Sequence, residues 1–425
     1  MSNQGEKKGV SALDFFCLGF GAIVGVGWAV SINSWMSDCG GPVPAGIGYI
    51  VALVMMVPIA LCYCELVPAL PVAGGGMAFA FRAFNDKVAV ISGWAAFGGF
   101  ISIIPWEAIQ ITDVLGYLIP SLTAGDPLYT VYGTGVHLTT IIIGVICSLL
   151  LFALNMRGLA SAAVLQKILC FVLVGAGILG AIASLIKGNA ANWQPIYDTA
   201  NPMLYGTGEG YIQATNSNML GGILAILSTA PFFLAGFETI PQGVEDAGGD
   251  IKSVGKTVVL SVALACIFYA ILLFCFGFAW PWQEFSTPTA VGGEMTNPAA
   301  ATMLRMLYGG AAGEVLYWII TIGALAGLFT TWNGFFMASA LLLMGMARGR
   351  LMPRIFARQN KNGIPVPALL VCLILSLVGP FAGAGIIGDL TCFSGATCPR
   401  NQSIFLPNLA SQCSGSPWLE AYPRA

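Results

Sequence analysis

Nine apolar runs, each long enough to cross a lipid bilayer, set the fold class of this chain before any single residue does. The first covers 15–36 without one charge, and the others lie at about 46–70, 88–118, 136–154, 162–186, 220–241, 256–280, 313–346 and 366–387. About 20 apolar residues in helical form match a hydrocarbon core of ~30 Å. Lipid offers no partner for backbone N–H and C=O groups, so runs of this length cross as α-helices. Charged residues make up only 8% of the 425, against roughly a quarter in soluble domains. The chain is expected to be an all-α, multi-pass membrane protein, and a soluble-domain reading is excluded.

Lysine and arginine fix the expected orientation. With the N-terminus inside, the inner segments carry Lys7, Lys8, Arg82, Lys87, Arg157, Lys167, Lys252, Lys256, Arg348, Arg350, Arg354, Arg358 and Lys361, while the outer ones carry Lys187 and Arg305, with Arg400 and Arg424 in the tail. No small-residue cleavage site ends the first run, so it reads as an uncleaved span rather than a signal peptide. The expected organisation is a cytoplasmic tail over 1–12, a first set of five helices over 13–187 and an outer loop over 188–219. A second set, helices six to nine with the start of a tenth, follows over 220–390, and a non-membrane tail over 391–425. On the inner side, 71–82 reads as a tight glycine turn and 348–358 as a basic loop against the headgroups. A second outer loop is expected over 281–312, with Trp193, Trp280 and Trp282 placed near span ends as an aromatic belt.

Residue chemistry narrows the function. Of the 12 cysteines, those in the apolar runs are scattered and read as small buried hydrophobes, while Cys392, Cys398 and Cys413 lie in the tail. His137 stands alone at the head of a run. A metalloenzyme or haem protein would need a His/Cys/carboxylate cluster, and an enzyme a nucleophile–base pair at membrane depth; neither is visible. A channel would show a repeated pore motif or rings of one charge. No cofactor, metal or nucleic-acid partner is expected. The expected partners are the bilayer and a small solute, and the sequence does not fix the oligomeric state.

Two stretches point to that solute. Gly19-Phe-Gly-Ala-Ile-Val-Gly-Val-Gly-Trp28 sets four glycines in the first span, and each costs a helix about 1 kcal/mol relative to alanine. Pro231-Phe-Phe-Leu-Ala-Gly-Phe-Glu-Thr-Ile-Pro241 interrupts the sixth span with two prolines, a glycine and an intramembrane acid. Taken alone, the first stretch reads sooner as a glycine-lined packing face for a neighbouring helix than as a broken helix, while the second disfavours an ordinary lipid-facing helix. Together, five spans apart and hence in opposite orientation, they carry the inverted-repeat pattern of a secondary transporter. The breaks are expected near 22–25 and 234–237, side by side.

Three stretches give the chain a family likeness. Gly21-Ala-Ile-Val-Gly-Val-Gly27, Glu65-Leu-Val-Pro-Ala-Leu-Pro-Val-Ala-Gly-Gly-Gly76, and Ala347-Arg-Gly-Arg-Leu-Met-Pro353 with Gly363-Ile-Pro365 together resemble the amino acid–polyamine–organocation superfamily of transporters. Phe233-Leu-Ala-Gly-Phe-Glu238 looks like the break in that family's sixth helix. The resemblance covers 11 to about 390. It implies a leucine-transporter-like fold of two inverted five-helix repeats with broken helices one and six. It also implies a permease of amino acids or related amines in the cell membrane. Gly388-Asp-Leu-Thr-Cys-Phe-Ser394 resembles the start of a tenth helix, and the family's helices ten to twelve are missing. A truncated or frame-shifted product is therefore an expectation, with a non-transporting sensor or inactive remnant as the alternative to a permease. The tail 391–425 is expected to be largely disordered.

The expected site gathers at the two breaks. The N–H groups of Val26 and Gly27, just past Gly25, open an outer half-helix whose positive end suits a carboxylate. Carbonyls at Ile23, Phe233, Leu234 and Ala235 end half-helices and suit an ammonium group. Gly236 would leave room beside the solute, and Phe232 or Phe233 resembles the family's aromatic gate or else packs in the core. Glu238 reads either as a substrate-facing or proton-sensitive acid, or as a carboxylate capping the second half-helix. Glu107, beside Pro105 and Trp106, hints at an amine or cationic substrate, or else lies at the outer interface. For ion coupling, Gln166 lacks the family's lysine seven residues on, since Leu173 stands there. Thr330 and Thr331 match the spacing of a sodium site, or else bond to carbonyls one turn back. The coupling ion stays open between proton and sodium.

Overall fold

A computed structural model of the chain describes residues 9–122, 125–194, 218–282 and 298–395. Among them, nine helical segments are long and apolar enough to cross a membrane. Span one begins as Ala12–Val24, stops at Gly25 and resumes as Gly27–Val30 and Ile32–Cys39. Spans two to five are Pro42–Ala69, Asp86–Leu118, Leu138–Asn155 and Leu159–Lys187. Span six is Met219–Phe233, followed by the 3-10 segments Phe237–Thr239 and Pro241–Asp246. Span seven is Ile251–Ala279, span eight the 39-residue helix Gly310–Arg348, and span nine Val366–Gly395 with a break at Gly383 (φ 79°).

Several spans start where local chemistry dictates. Ser11 caps span one through a reciprocal box with Asp14, and the side chains of Asn85, Asn218 and Asp250 cap spans three, six and seven. Each side-chain oxygen takes up one N–H of the first turn, which has no partner within the helix.

The helices sort into two packed groups. One buried cluster joins spans one, two, five, six and seven with one side of span eight (Tyr317, Ile320, Ala324), and Trp28, Trp35, Tyr49, Tyr269 and Phe276 are fully closed off in it. The second joins spans three, four, eight and nine around Ile104, Ala108, Trp332, Phe336 and Cys372. Small residues let the backbones close in lipid, where packing rather than the hydrophobic effect holds helices together. A side chain at Gly255 would strike the Cys64 carbonyl, and one at Gly379 the Pro105 backbone. A chain of buried amides ties spans four, five and eight: Asn155 Nδ2 donates to Asn333 Oδ1 at 3.0 Å, and Asn333 Nδ2 to Gln166 Oε1 at 2.9 Å. Gln166 Nε2 then donates to the Thr330 carbonyl at 3.0 Å.

The connections depart from expectation in four places. The expected glycine turn at 71–82 holds a helix, Gly75–Ala83, whose Met77 and Phe79 are buried. The expected outer loop at 281–312 contains the helix Ala299–Tyr308, buried from Ala299 to Leu304 because its alanines and Met303 pack into the first cluster. Trp282, expected in an interfacial belt, is fully buried. Between spans three and four lies an unforeseen hairpin, β1 (Tyr129–Val131) and β2 (Thr134–Val136). It braces the Gly383 break: the Tyr129 hydroxyl donates to the Phe381 carbonyl at 2.7 Å, and Gly385 N donates to Thr134 Oγ1 at 3.2 Å. Span nine continues past the expected end at 387 to Gly395. The expected disorder of the tail lies, from 396 onward, outside the described residues.

Candidate functional site

The two breaks meet. At Gly236 the backbone takes φ 132°, open to glycine and strained for other residues, and a Cβ there would stand 2.8 Å from Ala22 C and Ile23 N. Span six is thus seated on the last turn of the inner half of span one. Gly25 has φ 43°, and its would-be Cβ falls 2.7 Å from Thr331 Oγ1 of span eight. Both breaks fall within a residue or two of the positions read from the sequence, and for the reason given there: glycine at the point of reversal.

The freed polar groups are served in two ways. Tyr269 of span seven places its hydroxyl 3.0 Å from both the Ile23 and Val24 carbonyls and 3.5 Å from the Phe233 carbonyl. Ile23 and Phe233, expected to offer carbonyls to a solute, thus have a protein donor beside them. On span six, Gly236 N donates to Glu238 Oε2 at 2.8 Å, so the carboxylate caps its own break. The Thr239 hydroxyl donates to the Gly236 carbonyl at 2.6 Å. Gly236 lacks a side chain because span one fills that place.

The remaining expected residues divide. Val26, Phe232, Phe233, Ala235 and Glu238 keep partial exposure while Gly25, Gly27, Gly236 and most of their neighbours are closed off. The Phe233 ring also stands 4.6 Å from that of Trp35, edge to face, and a Cβ on Gly27 would touch it at 3.0 Å. Thr330 donates to the Gly327 carbonyl at 2.7 Å; Thr331 reaches the same carbonyl at 3.2 Å and the Gly21 carbonyl at 3.4 Å. Glu107 is buried in span three, with Oε2 lacking a hydrogen-bond partner among the described residues. Its neighbours Ile104, Ala108 and Ile111 share a cluster with Ala22 of span one and Trp332 of span eight. No described contact joins Glu107 to either break.

Sequence reasoning missed Tyr269, visible there only as a lone tyrosine in the apolar run of span seven. It also missed a latch on the face that carries the N-terminal segment. Glu245 Oε1 accepts from Ala73 N at 2.9 Å, and Arg348 Nη1 donates to both Glu245 oxygens at 2.7 and 2.6 Å. Beside it, Val10 N donates to the Asp246 carbonyl at 2.9 Å and Gly248 N to the Val10 carbonyl at 3.0 Å. Spans one, six and eight and the connection after span two are therefore fastened together at that face.

A family model described as amino acid permease matches residues 10–412. The chain belongs to the amino acid permease family. As a member of the amino acid–polyamine–organocation superfamily, the permease is a transporter rather than an enzyme. It is 23% identical over 382 residues to a branched-chain amino acid permease, BcaP, of Lactococcus lactis, an alignment covering 87% of this chain and 75% of the relative. A vacuolar cationic amino acid transporter 4 of Arabidopsis thaliana is 22% identical over 383 residues, with 87% and 57% covered. Among solved structures, a Na+-coupled sialic acid symporter in a substrate-bound, outward-open state superposes with TM-score 0.63 at 12% identity, covering 94% of this chain and 81% of that one. That likeness concerns the fold, the leucine-transporter-like inverted repeat that the family resemblance implied.

Proposed function

We propose that this permease is a secondary active transporter of amino acids or related amines across the cell membrane, with its N-terminus in the cytoplasm. The observation that carries the reading is the seating of Gly236 on Ala22 and Ile23, which sets two interrupted helices against each other deep in the chain. Irregular backbone at such depth is tolerated where protein or a polar cavity satisfies it, and in transporters it marks the solute site. The N–H groups of Val26 and Gly27 receive the carboxylate at the N-terminal end of the outer half of span one, where the helix dipole favours negative charge. The partly exposed Phe232, Phe233 and Ala235 flank the rest of the solute, and the unpartnered Glu107 oxygen serves an amine or a coupling proton. The names of the two relatives, one branched-chain and one cationic, support the amino acid class without choosing within it.

A proton or sodium gradient supplies the energy. Thr331, reaching toward Gly21 across the gap between spans eight and one, is the side chain through which a sodium ion would be felt. The test is uptake into proteoliposomes with a labelled panel of amino acids and amines, under an imposed pH gradient and under a sodium gradient. The expected result is concentrative uptake of at least one amino acid under one of the two gradients. Saturable binding of the solute with no flux under either gradient would overturn transport in favour of a sensor.

A further inference from the structure

The two faces of the molecule treat their cations differently. On the face away from the N-terminal segment, Arg305 pairs with Glu314 at 3.8 Å and stands over the Tyr317 ring. Lys187 there lies over the Tyr308 ring and donates to the Leu307 carbonyl at 3.2 Å. The connection between spans eight and nine, on the face of the N-terminal segment, leaves its cations over. Arg348 is taken by Glu245, but Arg350, Arg354, Arg358 and Lys361 are exposed and enter no ion pair among the described residues. No acid stands between Glu314 and Asp389 in the sequence. Arg157, also exposed and unpaired, joins them: a Cβ on its neighbour Gly158 would lie 4.0 Å from Ile364 Cδ1, at the end of the same connection.

The fold holds this group in place. Leu351, Met352 and Phe356 pack on the second cluster, and Arg354–Ala357 forms a 3-10 turn. Leu351 N donates to the Met346 carbonyl at 2.9 Å, and Asn360 Oδ1 accepts from Asn362 N at 2.9 Å and from Ile364 N at 3.0 Å. Arg350 is kept at φ 61°, a backbone that a side chain adopts only where the surrounding structure imposes it. Like charges set this close repel one another, and no described acid offsets them. Beside Arg354, Ile355 is 50% exposed, so the turn presents an apolar side chain next to its guanidinium groups.

We propose that this connection is a docking surface for anionic phospholipid headgroups, with Arg157, Arg350, Arg354 and Arg358 holding phosphate oxygens and Ile355 dipping among the acyl chains. A guanidinium offers phosphate a planar fork of N–H donors, and an anionic leaflet attracts basic segments that flank membrane spans. The connection joins the ends of two spans, which sets it at headgroup depth and favours a lipid over a soluble polyanion. A zwitterionic headgroup brings its own cation and so relieves the repulsion less. The surface stands whether or not the chain carries a solute.

The experiment titrates the full chain, purified in detergent, with phosphatidylglycerol or phosphatidylcholine and reads the retained lipid by native mass spectrometry. Phosphatidylglycerol should be held roughly tenfold more tightly or better, and less tightly as salt rises. Arg354→Gln with Arg358→Gln should remove most of that preference, since each basic residue at an anionic surface contributes roughly fivefold. Lys252→Gln with Lys256→Gln takes the same charge from the start of span seven and should leave the preference unchanged. All four side chains are exposed, and matching melts in detergent establish that both variants fold. Three results overturn the proposal: equal retention of the two lipids, equal loss from the two double variants, or glycerol 3-phosphate bound as tightly as the lipid. The last would mark a site for a soluble phosphate.

Discussion

The breaks in spans one and six solve the same problem with different means. Each interrupts an apolar helix at a glycine with positive φ, and each frees backbone groups that lipid cannot satisfy. Span six satisfies its break locally: Glu238 sits two residues beyond Gly236 and returns its carboxylate to that N–H. Between Ala12 and Ser31 span one offers only Asp14 and the indole N–H of Trp28, which has no hydrogen-bond partner among the described residues, so the Ile23 and Val24 carbonyls rely on Tyr269 from span seven. One break is written into its own segment and the other is completed only when a distant helix packs. The span-six break should therefore tolerate changes elsewhere, whereas that of span one should fail whenever spans one and seven part.

The contrast can be broken most forcefully at the point where the two breaks touch. Gly236→Leu forces a side chain into the Ala22–Ile23 backbone and strains a positive φ, costing roughly 1–3 kcal/mol for each effect. It should abolish solute binding and uptake while the protein still inserts, since the added side chain is apolar. A thermal-shift titration of purified mutant with unchanged affinity would count against the shared site. Gly25→Leu should act in the same direction, through Thr331.

Tyr269→Phe comes next. It leaves the ring contacts with Trp35 and Tyr49 and removes one hydroxyl, stranding buried carbonyls at a cost of about 1–3 kcal/mol. Stability and uptake should both drop, with binding weakened at the span-one end; circular dichroism melts in detergent measure the first. Glu238→Gln should cost less, about 1 kcal/mol, because an amide oxygen can still accept from Gly236 N while the charge assistance is lost. A Glu238→Gln loss larger than that of Tyr269→Phe would invert the comparison. The smallest change is expected from Glu245→Ala at the latch. Arg348 and Glu245 are over a third and a third exposed, so the pair contributes under ~1 kcal/mol to stability. Its loss should show instead as faster labelling of a cysteine introduced at the N-terminal face.

The sequence announced what depends on short-range chemistry. Apolar run length gave all nine spans, and glycine, joined by proline in span six, gave both breaks to within a residue or two, because those residues act through their own backbone. Glu238 as a cap was one of two readings, resting on the preference of a half-helix N-terminus for negative charge; that the N–H it takes up is that of Gly236 came only with the structure. Tyr269, Asn333 and the Glu245–Arg348 latch were not legible, since each acts on residues far away in the chain: Tyr269 Oη lies 246 positions from Ile23. The buried helix Ala299–Tyr308 was hidden for a related reason. Ten residues are too few to register as a span, and only packing onto the first cluster shows what its alanines are for.

The amide chain through Asn155, Gln166 and Asn333 bears on how the protein is made. Spans four and five leave the ribosome well before span eight, whose Asn333 is 167 positions beyond Gln166. During that interval Gln166 sits at membrane depth without its eventual partner, as does the Asn155 amide apart from its bond to the Leu151 carbonyl. An unpaired amide in an apolar setting costs about 1–3 kcal/mol, so the half-made protein holds a standing preference for whatever can hydrogen-bond to it. The arrival of Asn333 ends that preference for both amides at once. The hydrogen bonding of both amides is therefore complete only once span eight is in place.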